Sequence, residues 1–341
     1  MIIVMKPESV ESQIQEISKK LQSLGLGVHI SKGTQRTIIG VIGDKKALCG
    51  IPIELMPGVE KIVPIMESYK LAGKTFKPEP SIIDVNGVKI GGKELTIMAG
   101  PCSVESRAQI MEAALAIKKS GAQFLRGGAF KPRTSPYSFQ GLEGEGIQLL
   151  KEAKEATGLQ IISEITSEYL VEKFIDTIDM FQIGARNVQN FQLLREVGRS
   201  KKPVLFKRGP ATTMDEWLNA AEYIMNEGNY NVVLCERGIR TFETATRNTL
   251  DISAVPVIKA LSHLPIIVDP SHAAGKAQYI ASLSRASIAA GADGLIIEVH
   301  PNPMQALSDA AQQITPPQFD CLCKDISKIA EILGREFQYG S

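Results

Sequence analysis

Along residues 95–297 one pattern recurs eight times: a short apolar run, a polar loop, then apolar residues at helical spacing. The apolar runs lie at 95–99, 122–125, 160–163, 179–183, 204–206, 231–234, 265–268 and 294–297. They are short and nearly uniform in apolar character, as strands buried on both faces of a parallel sheet are. Between them, residues 107–120, 144–157 and 214–227 repeat apolar positions every three to four residues, which predicts amphipathic helices. Eight strand–helix units in about 240 residues predict a (β/α)8 TIM barrel. A doubly wound sheet would carry Gly-x-Gly-x-x-Gly after its first strand, and this chain does not.

The pattern ahead of the barrel is different. Residues 2–5 read as a strand. Residues 9–26 read as a helix on Val10, Ile14, Ile17, Leu21 and Leu24. Strands are expected at 28–31 and 37–42, a second helix at 45–55 and a last strand at 59–65. The order βαββαβ is that of a ferredoxin-like domain. Residues 1–66 are therefore read as a small regulatory or assembly domain, with a purely structural appendage an equal alternative. Residues 67–80, with Gly73, Pro78 and Pro80, read as a linker, and 81–341 as the catalytic barrel. The barrel opens on an N-terminal β-hairpin that turns at Asn86-Gly87.

Composition narrows the function classes. The 341 residues are 44% apolar and 22% charged, as in ordinary globular proteins. A net charge of +1 gives no global field for nucleic acid or for an anionic membrane. The N-terminus meets charge too early for a signal peptide, and no apolar run approaches a membrane span, so a cytoplasmic location is expected. Cys49, Cys102, Cys235, Cys321 and Cys323 are too few and too scattered for a disulfide framework. Cys321 and Cys323 read as ordinary thiols.

The chemistry sits where the strands end. After the first come Pro101-Cys102-Ser103, and after the second Arg126 and a loop containing Lys131, Arg133, Thr134, Ser135 and Ser138. The third ends at Glu164. The fourth to eighth are followed by Arg186-Asn187, Lys207-Arg208, Glu236-Arg237, Asp269-Pro-Ser-His272 and Glu298-Val-His300. A barrel gathers these ends at one rim. Six cations there (Arg126, Lys131, Arg133, Arg186, Lys207 and Arg237) call for anionic ligands, and guanidinium forks suit carboxylate and phosphate. Two phosphorylated substrates, one also a carboxylate, would account for all six. Glu164, Glu236 or Asp269 could instead hold some of the cations in structural pairs. Cys102, His272 and Glu298, with Asp309 on the loop after the last strand, form a candidate site for one divalent metal ion. The mixed S/N/O donors suit Mn, Fe, Co or Zn. His263 and His300 are read either as supports of the site's ligands or as structural.

These residues together closely resemble the 3-deoxy-7-phosphoheptulonate (DAHP) synthase family. The resemblance is carried by Ala99-Gly-Pro-Cys-Ser-Val-Glu105, Lys131-Pro-Arg-Thr-Ser-Pro136, Gln182-Ile-Gly-Ala-Arg-Asn187, Lys207-Arg-Gly209, Leu234-Cys-Glu-Arg-Gly238, Asp269-Pro-Ser-His272 and Glu298-Val-His-Pro301. It implies metal ligation by Cys102, His272, Glu298 and Asp309. It implies phosphoenolpyruvate held by Arg126, Lys131, Arg186, Lys207 and Arg237, and erythrose 4-phosphate held by Arg133, Thr134 and Ser135. Around Asp309, family members have glycine after the aspartate where this chain has Ala310. The N-terminal domain resembles the ferredoxin-like extension of some members, which implies feedback control by aromatic amino acids and a homotetramer. The expected reaction is the first step of the shikimate pathway, with Lys131 as proton donor beside the metal ligands Cys102 and His272. The related 3-deoxy-octulosonate 8-phosphate synthases, which use arabinose 5-phosphate, typically carry Lys-Ala-Asn-Arg-Ser where this chain has Lys131-Pro-Arg-Thr-Ser135. A metal barrel enzyme of another type, such as a class II aldolase or a hydrolase, would lean on a histidine-rich ligand set, and this chain has four histidines. A non-catalytic phosphometabolite sensor would not need an intact metal set beside the cations.

Overall fold

The computed structural model describes residues 1–33, 36–43, 45–48, 51–63, 68–132 and 135–340. It divides into two compact units, Met1–Ser68 and Tyr69–Ser341.

In the first unit, strands β1 (Ile2–Met5), β2 (Gly27–Lys32), β3 (Thr37–Ile42) and β4 (Val59–Val63) form an antiparallel sheet in the order β2-β3-β1-β4. Helix α1 (Glu11–Ser23) buries Ile14, Ile17 and Leu21, whose spacing puts them on one face. They pack with Ile3, Met5, Ile39 and Val59. The second helix expected at 45–55 does not form. Two short 3-10 turns, Lys45–Leu48 and Ile53–Leu55, stand in its place. Pro52 is the reason, because its ring and missing N–H break a helix interior. The last two residues of the strand expected at 59–65 lie outside the described residues.

The second unit begins with a hairpin, β5 (Ile83–Val85) and β6 (Val88–Ile90), turning at Asn86-Gly87 with both residues at positive φ. Eight parallel strands follow. Up to the third they are β7 (Thr96–Gly100), β8 (Phe124–Arg126) and β9 (Gln160–Glu164), with helices α2 (Arg107–Lys119) and α3 (Glu143–Thr157) between them. Helix α4 (Glu168–Phe174), β10 (Met180–Ile183), α5 (Phe191–Arg199), β11 (Val204–Lys207), α6 (Met214–Asn226) and β12 (Val232–Glu236) continue the alternation. Helix α7 (Ala254–Leu261), β13 (Ile266–Val268), the one-turn α8 (Pro270–Ala274), α9 (Ala277–Ala289), β14 (Gly294–Glu298) and α10 (Pro316–Ile332) complete it. The barrel closes by pairing β14 with β7. Among the described residues no helix is long and apolar enough to cross a membrane.

Alternation along the strands sorts the core into two layers. Met98, Phe124, Ile162, Met180, Leu205, Val233, Cys235, Ile267 and Ile296 face the barrel axis, and Ile83, Val85 and Ile90 of the hairpin pack onto them. Their neighbours, such as Ile97, Leu125, Ile161, Phe181 and Leu234, pack under the helices. The hairpin caps the end where strands begin: Asn86 Nδ2 donates to Asp179 Oδ1 at 2.7 Å, just ahead of β10. The segment 67–80 differs from the expected linker. Tyr69 and Ala72 are buried in the barrel's outer core. The Ala72 N–H donates to Glu222 on α6 at 2.7 Å, and Lys74 N–H to the Leu261 carbonyl at 3.0 Å. Glycine and proline signal irregular backbone, not the absence of packing.

Candidate active site

The two-residue period that fills the barrel axis with apolar groups also selects the groups above them. Counting two on from the inward residues gives Arg126 from Phe124, Glu164 from Ile162 and Gln182 from Met180. It gives Lys207 from Leu205, Arg237 from Cys235, Asp269 from Ile267 and Glu298 from Ile296. All lie at carboxyl ends of strands, where barrel enzymes place their chemistry. Arg126, Glu164, Gln182, Lys207 and Arg237 line a cavity of about 560 Å³. Asp269 and Glu298 are buried against its wall, bonded to Lys207 and Arg126. Residues of opposite parity turn away. Arg208 pairs outside the cavity with Glu236 and Asp251, each at 2.8 Å. Glu236 thus balances Arg208 rather than any of the six predicted cations.

The cavity also receives Lys131, Ser135, Ser138, Arg186, Arg240, Arg247, Asn248, His272 and Asp309. Ser135 is the member of the expected erythrose 4-phosphate set that the structure places here. Arg133 and Thr134 lie outside the described residues. Among the described residues seven cations line the cavity, and four carboxylates line or adjoin it (Glu164, Asp309, Asp269 and Glu298). A positive excess in a confined site favours anionic ligands. Among the described residues Arg126 Nε, which is buried, has no hydrogen-bond partner. Glu164 lies close against Gly184: a Cβ there would fall 1.9 Å from Glu164 Oε1, so a side chain at 184 would displace that carboxylate.

Three of the four expected metal ligands, Cys102, Glu298 and Asp309, bring donor atoms within 4.8 Å of one another. His272 stands beside this group on the side of the two carboxylates, with Nε2 3.5 Å from Glu298 Oε1 and 4.0 Å from Asp309 Oδ2. Its other nitrogen, Nδ1, donates to Asp269 Oδ2 at 2.7 Å, which leaves the Nε2 lone pair facing the other donors. Burial holds His272 below its ordinary range, in the neutral form a ligand needs. Burial, with Glu298, pushes the Cys102 thiol up to about 11, against the pull of Lys131 and Arg126. One thiol, one imidazole and two carboxylates at this spacing fit a divalent ion of the Mn, Fe, Co or Zn type. Cations meanwhile contact these donors. Lys131 Nζ lies 3.0 Å from Cys102 Sγ, Arg126 donates to Glu298 Oε1 at 3.1 Å, and Arg247 to Asp309 Oδ2 at 3.2 Å.

The loops carrying Cys102 and Asp309 are bound together. Gln313 Oε1 accepts the Cys102 N–H at 3.0 Å, and the Ser103 and Ser308 hydroxyls meet at 2.7 Å. Glu105 accepts the Leu307 N–H at 2.9 Å and lies 3.3 Å from His300 Nε2, so His300 contacts a residue that ties these loops. Asp309 sits at φ 46°, a left-handed conformation that aspartate adopts more readily than most residues. Burial raises its pKa, but Arg247, then His272 and Lys131, outweigh burial and bring it down to about 2. Because the folded value is below that of an unfolded aspartate, the resulting stability is present above about pH 4 and is lost as pH falls towards 2. Asp309→Asn should therefore remove about 2 kcal/mol of that acid-sensitive stability. Denaturant midpoints of native protein and variant, measured from pH 5 to about 2.5, should converge as the acid end is approached. Parallel curves would show that Asp309 is not the titrating group.

Sequence reasoning missed Arg240, Arg247, Asn248, Gln182 and Gln312. Gln312 Nε2 donates to Glu298 Oε2 at 2.7 Å and Gln312 Oε1 accepts from Arg247 at 2.9 Å, so it spans the donor set. Gln182 was findable from strand parity alone. Arg240, Arg247 and Asn248 lie on an irregular loop after β12, where no period marks direction.

Comparison with known proteins follows the same division of the chain. The profile of the DAHP synthetase I family matches residues 74–332, and that of the DAHP synthase ferredoxin-like domain matches residues 1–67. A phospho-2-dehydro-3-deoxyheptonate aldolase from Thermotoga maritima is 50% identical over 334 residues, 98% of this chain and 99% of the relative. A 2-dehydro-3-deoxyphosphooctonate aldolase from Syntrophotalea carbinolica is 31% identical over 274 residues, 74% of this chain and 98% of the relative. A crystal structure of the Thermotoga maritima phospho-2-dehydro-3-deoxyheptonate aldolase (DAHP synthase) superposes with a TM-score of 0.93. It has 49% identity and covers 99% of both chains.

Proposed function

The chain belongs to the DAHP synthetase I family, and from that premise we propose how its residues carry out the family's reaction. The protein is a transferase that condenses phosphoenolpyruvate with erythrose 4-phosphate to 3-deoxy-7-phosphoheptulonate and phosphate, the entry to the shikimate pathway. The observation that carries the residue assignment is the meeting of the cation-lined cavity with the Cys102–His272–Glu298–Asp309 donor set. In this reading Arg186, Lys207 and Arg237, with Arg126 and Lys131, bind the phosphate and carboxylate of phosphoenolpyruvate. Arg133, Thr134 and Ser135 bind the phosphate of the aldehyde substrate. Cys102, His272, Glu298 and Asp309 hold one divalent ion, which when bound supplies Lewis-acid polarisation of the aldehyde oxygen.

The new bond joins C3 of phosphoenolpyruvate to the aldehyde carbon. Water adds at C2, and the C2–O bond to phosphate breaks as the ketone forms; of the two protons the water gives up, one replaces that donated by Lys131 and the other leaves on the phosphate. Lys131, between the donor set and the cavity, gives a proton to the oxygen that was the aldehyde. The guanidinium groups of Arg186 and Arg237 stabilise charge on the departing phosphate. The N-terminal unit is proposed to bind an aromatic amino-acid effector and to take part in a homotetramer. Its cavity of about 480 Å³, lined by Leu48, Ile51, Ile53, Leu55 and Ile62, supports an apolar ligand. The protein is proposed to work in the cytoplasm.

Phosphate release from phosphoenolpyruvate tests the assignment. Release should require erythrose 4-phosphate, fall by at least about 100-fold with arabinose 5-phosphate, and stop on chelation. An equal rate with the five-carbon sugar would favour the octulosonate chemistry of the 31% identical relative. Undiminished turnover after chelation would remove the metal assignment.

A further inference from the structure

Asp269 occupies an unusual position between two of these subsites. It is 1% exposed, and its two oxygens have divided duties. Oδ1 accepts the backbone N–H of His272 at 2.9 Å, which caps the one-turn helix α8. Oδ2 accepts from His272 Nδ1 at 2.7 Å and also from Lys207 Nζ. The Asp269 backbone is fixed in turn by the Glu236 carbonyl, 2.7 Å from its N–H. One carboxylate oxygen is therefore shared by a histidine of the donor set and a lysine of the cavity lining.

We propose that Asp269 is a positioning residue that couples occupation of the phosphoenolpyruvate subsite to metal affinity, through the oxygen shared by Lys207 and His272. This rests on the assignment of those two residues made above. When Lys207 turns part of its charge to an anionic ligand, it withdraws from Oδ2. That oxygen then bonds more strongly to the His272 Nδ1–H, which makes Nε2 a stronger donor. Linkage requires the reverse as well, so metal binding raises the affinity for phosphoenolpyruvate by the same factor. Direct attraction between the anion and the ion acts whether or not Asp269 is present. The signature of the bridge is the part of the coupling that disappears with the carboxylate.

The test uses the full chain and Mn²⁺ as probe, with free Mn²⁺ followed by its paramagnetic resonance signal. Asp269→Asn should weaken Mn²⁺ binding by about 10–100-fold without substrate. In the native protein, saturating phosphoenolpyruvate should tighten Mn²⁺ binding by about fivefold or more, and D269N should lower that factor at least about twofold. Lys207→Gln, which takes the competing cation off Oδ2 for good, should tighten Mn²⁺ binding without substrate by about twofold or more and also lower the coupling. It decides the matter if D269N does not fold. A coupling factor unchanged in the folded variant, or Mn²⁺ affinity unaffected by D269N, would overturn the proposal. A native protein that fails to bind phosphoenolpyruvate even with saturating Mn²⁺ would overturn the assignment of Lys207 to the phosphoenolpyruvate subsite, and the proposal with it. That result is distinct from intact binding with unaltered coupling.

Discussion

Cys102→Ser is expected to lower kcat by about 10³-fold or more while leaving the fold in place. The estimate follows from several kcal/mol of Lewis-acid stabilisation lost with the ion. The fold should persist because serine is nearly the same size, and its hydroxyl can donate to Asp309 Oδ2, which lies 3.6 Å from the Cys102 sulfur. The stability change should stay within about 1 kcal/mol. A second signature separates ligation from packing. With its thiol raised to about 11, Cys102 must lose a proton on binding metal. Metal affinity should therefore rise by about tenfold per pH unit in the native protein between roughly pH 7 and 9. The slope should be lost in the variant. Isothermal titration in buffers of different ionisation enthalpy measures the released proton directly. Equal proton release by native protein and variant would mean that sulfur is not a ligand.

Cys102 was legible in the sequence because a barrel converts chain position into spatial position. Once eight apolar runs were recognised, each following residue had a rim to belong to, and Arg126, Lys207, Arg237, His272 and Glu298 needed no further clue. Parity would have refined this. Arg208 and Glu236 stand one residue off the inward set, and the structure places them in their own pair behind the cavity. What could not be read locally was anything returned by an irregular loop. Arg247 follows the end of β12 by eleven residues and reaches Asp309 only through the tertiary path of that loop. The expected helix at 45–55 failed for the opposite reason. Its apolar spacing was adequate, but Pro52 removed the backbone bonds on which the spacing depends. Residues 69–74 were misread because turn-forming residues describe backbone shape, while burial of Tyr69 and Ala72 depends on Glu222, Leu261 and Ser262, far along the chain.

Lys131→Met should be as damaging as loss of the thiol, and for reasons that the kinetics can separate. Lys131 Nζ contacts both the Cys102 sulfur and the Cys102 carbonyl, each at 3.0 Å, while the side chain lines the substrate cavity. It lies over Gly128, where a Cβ would come within 2.9 Å of the lysine Cδ, so its path is closely confined. A group so placed serves two steps: its charge favours the thiolate, and its proton can reach the oxygen formed from the aldehyde. Loss of the second role should lower kcat by about 10²–10⁴-fold. The KM for phosphoenolpyruvate should change by less than about tenfold, since Arg186, Lys207 and Arg237 remain. Lys131→Arg should restore little, because a guanidinium keeps its proton at neutral pH and so cannot serve as the proton donor. Steady-state kinetics with saturating metal give the decisive split. A raised KM with kcat intact would make Lys131 an anion-binding cation only, and proton transfer would then belong to another group.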